Sequence, residues 1–135
     1  MHADRWRFPA NAHAIPALRR ALRRLFTTAG LDDELAYDLL LAACEAATNA
    51  VEHAQDPTEP FIDVHFEVAE GQVTITVQDY GRWRNGPATP LRGRGLAMMH
   101  VLADTTVDAD REGTTVTMRS RSPDGLAPTH DAGPA

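Results

Sequence analysis

Ile62-Asp63-Val64-His65-Phe66-Glu67-Val68-Ala69-Glu70-Gly71-Gln72-Val73-Thr74-Ile75-Thr76-Val77-Gln78-Asp79 decides the fold. Ile62, Val64, Phe66 and Val68 alternate with polar residues, and after Glu70-Gly71 so do Val73, Ile75 and Val77. A strict period of two on either side of a turn predicts a β-hairpin with one face in a core. Asp79 continues the inward parity of Val73, Ile75 and Val77. A carboxylate is therefore expected at the end of a row of buried side chains, where it costs several kcal/mol unless partners replace its water.

Upstream of the hairpin the period changes. Asp32 or Asp33 can cap a helix running to about His53, before Pro57. At about 100° per residue, Asp38, Asn49 and Glu52 fall within about 40° of Glu45. Leu35, Leu39, Leu40, Ala43, Ala46, Ala47 and Ala50 spread over the opposing half. The helix thus has an acidic-amide front and a back small enough to let a sheet approach closely. Before it, Ile15, Leu18, Leu22, Leu25 and Ala29 recur at helical spacing among Arg19, Arg20, Arg23 and Arg24, with Gly30 as the stop. Asn11 as a cap, or Pro16 in the first turn, are both compatible with the start of this helix. Trp6 and Phe8, alternating with Arg5 and Arg7 before Pro9, suit a short peripheral strand.

Downstream, Tyr80 to Arg94 reads as a long irregular loop, Gly95 to Ala103 as a short helix, and Thr105–Ala109 with Thr114–Arg119 as a final strand pair. Residues 122–135 are rich in Pro, Gly and small or charged residues and are expected to be a disordered tail, leaving 1–121 as one domain. Strand, two helices, two strands, loop, helix and two strands predict an α/β (α+β) two-layer sandwich, with helices covering one face of a mixed or antiparallel sheet. Consecutive helices before the hairpin argue against a doubly wound series.

The 135 residues suit a single domain. Nineteen acidic against 13 basic residues, a formal charge of −6, disfavour direct nucleic-acid binding and anionic membrane surfaces. No stretch reaches about 18 continuous apolar residues, and the start of the chain lacks the pattern of a signal peptide. Cys44, the single cysteine, cannot form an internal disulfide. A reducing, cytoplasmic location is the expectation.

Three places carry potential chemistry. Glu45 and Asn49, four apart on one helix face, can address one small site: a carboxylate can orient or deprotonate a hydroxyl, and an amide oxygen can join the shell of a hard cation. Their spacing alone also fits an exposed polar face. Asp79 at a strand end can accept a hydrogen bond from a purine amino group, and Gly81 lets backbone approach the ring. Taken alone, these two also fit a solvent-facing turn. Gly93-Arg94-Gly95-Leu96 offers backbone amides at a helix start, which favour phosphate, with Arg94 adding positive charge. The arrangement is neither a P-loop nor the dinucleotide fingerprint. His53 is a further candidate for phosphate contact, although a histidine in the last turn of a helix is also explained by the helix dipole.

Together and in this order these residues resemble the ATP-binding domain shared by gyrase, the Hsp90 chaperones, histidine kinases and MutL, and most closely its anti-sigma-factor serine/threonine kinase branch. Glu45 to Ala54 is similar to the family's first nucleotide box, Asp79-Tyr80-Gly81 to its adenine box, Gly93 to Leu96 to its glycine box and Gly113-Thr114-Thr115-Val116 to its closing strand motif. The resemblance, over about residues 5 to 120, implies a Bergerat-type ATP-binding fold using ATP and Mg²⁺. It implies Asn49 as the Mg²⁺ ligand, Glu45 as the base or orienting carboxylate, and Asp79 on the adenine amino group with help from Thr114. Gly81 would pass beneath the base, while Gly93, Gly95 and the amides that follow hold phosphate. Parity favours Thr114 over Thr115, because Thr114 shares its side with Val116 and Met118. The implied function is a serine/threonine protein kinase and anti-sigma factor that phosphorylates a small anti-anti-sigma antagonist, with a sigma factor as the other partner and a homodimer as the assembly. The alternative is a module that binds ATP as a conformational effector without transferring phosphate. One position departs from the family's Asp-x-Gly-x-Gly pattern: Trp83 stands at the second glycine and removes that residue's backbone freedom.

Overall fold

A computed structural model describes residues 2–83 and 102–120. The expected glycine-box helix, apart from Leu102 and Ala103, and the tail from 122 lie outside these residues. The chain runs β1 (His2–Pro9), α1 (Ala14–Ala29), α2 (Asp33–His53), β2 (Ala54–Gln55), β3 (Phe61–Ala69), β4 (Gln72–Gln78), β5 (Arg82–Trp83), β6 (Asp104–Asp110) and β7 (Gly113–Arg119).

Each element follows from local chemistry. Helix α1 buries Ala14, Leu18, Leu22 and Phe26, one residue per turn along one stripe. Its start takes an alternative arrangement to an Asn11 cap on the helix itself: His13 is the first flanking residue, and the Asn11 side chain accepts from the His13 N–H at 2.9 Å. At the other end Gly30, at φ 72°, donates to the Thr27 carbonyl, and the Leu31 N–H reaches back to Phe26. This left-handed cap satisfies carbonyls that the helix leaves without partners. Asp32 caps α2 by accepting from the Leu35 N–H at 3.2 Å. The β3–β4 hairpin turns on Glu70 and Gly71, both at positive φ, the geometry that matches strand twist in a two-residue turn.

The five-stranded sheet has the order β1-β3-β4-β7-β6, and every described pairing is antiparallel. Both helices lie on one face. Ile62, Val64, Phe66, Val68, Val73, Ile75, Val77, Val116 and Met118 point into the core against α1 and the alanine-rich side of α2. Ala42, Ala43, Ala46, Ala47 and Ala50 are almost fully buried, so the helix backbone comes close to the sheet. The rings of Phe26 and Phe66, 5.9 Å apart, join α1 to β3. The opposite face of the sheet carries polar side chains from β1, β3, β4 and β7. Among the described residues no helix is long and apolar enough to cross a membrane.

An additional two-stranded ladder, not foreseen from sequence, pairs Ala54 with Trp83 and Gln55 with Arg82. Two-residue strands leave no room for a recognisable alternation. Their pairing is a consequence of where α2 and β4 end.

Candidate nucleotide site

The ladders of β4 stop at Gln78, which pairs with Asp63 on one side and Thr115 on the other. Asp79 therefore lies one residue beyond the sheet, and its own bonds hold it. Its backbone N–H donates to the Thr114 carbonyl at 2.9 Å, while the Thr114 N–H donates to Asp79 Oδ1 at 3.3 Å. The Gly81 N–H donates to the same Oδ1 at 3.0 Å. With only 3% of Asp79 exposed, these amides replace part of the water that burial removes. The expected end-of-row carboxylate is thus present, buried and oriented by backbone. Gly81 is buried beside it, and Thr114 is 1% exposed whereas Thr115 is only half-buried, as parity requires.

Helix α2, which carries Glu45 and Asn49, packs on β4 and β7. The structure differs here from a simple polar front. Asn49 is 1% exposed, Glu45 is half-buried and Glu52 is exposed. The reason lies in the helical wheel: Asn49 sits about 40° from Glu45, but Ala42 is only about 20° further round. Asn49 thus falls at the margin of the packed side. The end of α2 is tied to the Asp79 segment twice, by the β2–β5 ladder and by the Thr58 N–H donating to the Tyr80 carbonyl at 2.9 Å.

Among the sequence-derived residues, direct hydrogen bonds join Asp79, Gly81 and Thr114, while Glu45 and Asn49 lie on α2, which packs on the same two strands, β4 and β7. His53 closes α2, but its side chain lies outside the described residues, as do Gly93, Arg94, Gly95 and Leu96. Trp83 takes part in β5, where the backbone is paired with Ala54. Extended, paired backbone is open to any residue with a free N–H, so glycine's freedom is not needed at this position.

The donor set also bears on a metal. Among the described residues no group of three or more His, Cys, Asp or Glu side chains could hold an ion. A single neutral amide oxygen from Asn49 suits Mg²⁺, which keeps much of its shell from water and substrate phosphates. The residues present fit that mode of binding.

Gly113 and Tyr80 lie within motifs quoted from the sequence, but the contacts they make carry no signal there. Gly113 packs directly against the Asp79 backbone, which makes it part of the site's framework. Tyr80, between Asp79 and Gly81, turns its ring to the other face of the sheet and donates its hydroxyl to Asp63. A tyrosine in a loop motif says nothing about that partner until the strands are paired.

The sequence profile of the histidine kinase-like ATPase domain matches residues 8–120. The serine-protein kinases RsbW of Staphylococcus aureus strains JH9 and Newman are each 34% identical over 77 residues, covering 56% of this chain and 48% of the relative. The match thus spans about half the length of those curated relatives. The crystal structure of the RsbU and RsbW domains of Rv1364c from Mycobacterium tuberculosis superposes with a TM-score of 0.75 at 27% identity, covering 90% of this chain and 32% of that one.

Proposed function

The chain belongs to the histidine kinase-like ATPase domain family, and from that premise we propose that it is an ATP-dependent serine/threonine protein kinase and anti-sigma factor, phosphorylating a small anti-anti-sigma antagonist. The observation that carries this reading is Asp79: a carboxylate only 3% exposed, oriented by the Gly81 and Thr114 amides at the end of β4. A buried, fixed acceptor recognises an exocyclic amino group and rejects a base that lacks one.

In this reading Asp79 accepts from the adenine amino group, Thr114 supports it, and Gly81 leaves room for the base. Asn49 holds Mg²⁺ through its side-chain oxygen. When bound, Mg²⁺ supplies charge neutralisation at the phosphates. Glu45, one helical turn before Asn49, orients or accepts the proton of the attacking seryl or threonyl hydroxyl. Gly93, Arg94, Gly95 and Leu96 are assigned to phosphate binding by their sequence motif, and His53 to the same region by its place one turn after Asn49. Similarity to the serine-protein kinases RsbW supports the choice of serine-protein kinase over other ATPases. A sigma factor, the antagonist and a second copy of the chain are the proposed partners.

The test is transfer of labelled phosphate from ATP with Mg²⁺ to candidate antagonist proteins. The site of modification is then read by mass spectrometry. Transfer to a seryl or threonyl residue is the expected result. Tight ATP binding with no transfer to any antagonist would leave only a nucleotide-responsive binding module.

A further inference from the structure

Asp79, Tyr80 and Gly81 follow the last paired residue of β4; Asp79 is still tied to Thr114 of β7, whereas Tyr80 and Gly81 have no strand partner on β3 or β7. Successive residues of an extended chain point to opposite faces. Asp79 points to the helix side, and the Tyr80 ring lies on the polar face, two residues beyond Gln78. Gln78 pairs directly with Asp63, which places the Tyr80 ring on the diagonal to that carboxylate. Its hydroxyl donates to Asp63 Oδ2.

Asp63 is itself held. Arg7, its direct partner across β1 and β3, donates from Nε to Oδ1 at 2.8 Å and from Nη2 to Oδ2 at 3.0 Å. This forked geometry fixes the plane of the carboxylate. The Arg7 guanidinium also lies 4.7 Å from the centroid of the Phe61 ring. A chain of contacts thus crosses from β1 through β3 to the unpaired end of β4, within a groove of about 590 Å³ on the polar face. It ends one residue from Asp79.

From this geometry we infer that Tyr80 is a positioning residue for base recognition, anchored by Asp63 and Arg7 on the face of the sheet opposite the nucleotide. The inference rests on the assignment of Asp79 to the adenine amino group. The Tyr80 backbone is bound to Thr58 on one side and its hydroxyl to Asp63 on the other. Together they restrict rotation of the segment at the end of β4. Without the hydroxyl contact, Asp79 keeps its amide partners but samples a wider set of directions, which weakens a directional bond more than general contact with the base.

The test compares ADP with inosine diphosphate, which has a carbonyl in place of the amino group, by calorimetry on the full chain. The wild type prefers ADP. Tyr80→Phe lowers that preference about fivefold, the scale of one hydrogen bond, with little change in melting temperature. Asp63→Ala does the same, and the double variant is no worse than either single one. Amide exchange without nucleotide gives an independent readout: Gly81 and Thr114 N–H exchange faster in Tyr80→Phe. An unchanged ADP preference in Tyr80→Phe alongside a collapsed one in Asp79→Asn overturns the role of Tyr80 and leaves the base assignment standing. Unchanged exchange at Gly81 and Thr114 also overturns it. Failure of the wild type to prefer ADP overturns the base assignment and this inference with it.

Discussion

Gly113 lies so close to Asp79 that a β-carbon built on it would stand 1.9 Å from the Asp79 carbonyl oxygen. Its φ of +150° is also one that side chains of L-residues rarely adopt. The contact arises because β7 starts beside the end of β4, its neighbour in the sheet. Alanine at 113 must push the Asp79 backbone away. Gly113→Ala is expected to cost about 3 kcal/mol or more, read as a lower urea midpoint, and to abolish ADP binding in whatever protein still folds.

Asp79→Asn separates recognition from folding. The asparagine oxygen can accept the same Gly81 and Thr114 amides, so the melting temperature should stay within about 5 °C. Its amide nitrogen, however, would confront an amino group as donor against donor. ADP affinity should fall about tenfold or more by calorimetry. Wild-type affinity in this variant would remove Asp79 from the base-binding role.

Glu45→Gln should separate binding from chemistry. Glu45 is half-buried on the helix one turn from Asn49 and is replaced by a side chain of the same size. Phosphate transfer to the antagonist should drop about 100-fold or more, the usual scale of a lost general base. The ADP dissociation constant should change less than about threefold. Transfer at the wild-type rate would exclude Glu45 as the base.

The Arg7–Asp63–Tyr80 contacts carry a pH signature. Hydrogen bonding from Arg7, and more weakly from Tyr80, holds the Asp63 carboxyl below the ordinary carboxylate value, against a smaller opposing effect of burial. A depressed folded value contributes stability that is present above the unfolded value of about 4 and is lost as pH falls through the folded one. Carbon-13 titration of Asp63 should show a midpoint below that of an ordinary aspartate, rising toward it in Arg7→Gln. Tyr80 is shifted the other way, raised chiefly by its bond to Asp63. Its contribution is complete below about pH 10 and disappears as pH rises further.

Cys44 should be a poor nucleophile. Burial raises its thiol above the ordinary value, and the opposing pull of Arg19 does not overcome that. Alkylation by iodoacetamide at pH 8 is expected to be at least about tenfold slower than for an unfolded control. Rapid modification would mean that the α1–α2 packing opens readily.

The elements with a long, regular pattern were legible in the chain. The alternation of Ile62 to Val77 specified a hairpin and the side of Asp79, and Asp32, Gly30 and the Glu70-Gly71 turn set boundaries through local backbone chemistry. The candidate site was legible as far as its residue types reach: Asp79, Gly81 and Thr114 share hydrogen bonds at one end of the sheet. The wheel placed Asn49 beside Glu45 but not its burial, because a margin position goes to whichever layer the helix tilts toward. That Trp83 stands where the family has a glycine was legible, but not that its backbone pairs with Ala54 in extended geometry, because that pairing depends on where α2 and β4 end.

Sequence by itself determined the periods, the caps and the inward parity that takes a carboxylate to the end of β4, because each depends on neighbours within a few residues. Only the tertiary structure decided that Gly113 rests on the Asp79 backbone and that Tyr80 reaches Asp63 and, through it, Arg7. Those contacts join residues 17 to 56 positions apart. Which of them form depends on strand order and register, and a side chain's own pattern says which face it takes but not which partner waits there.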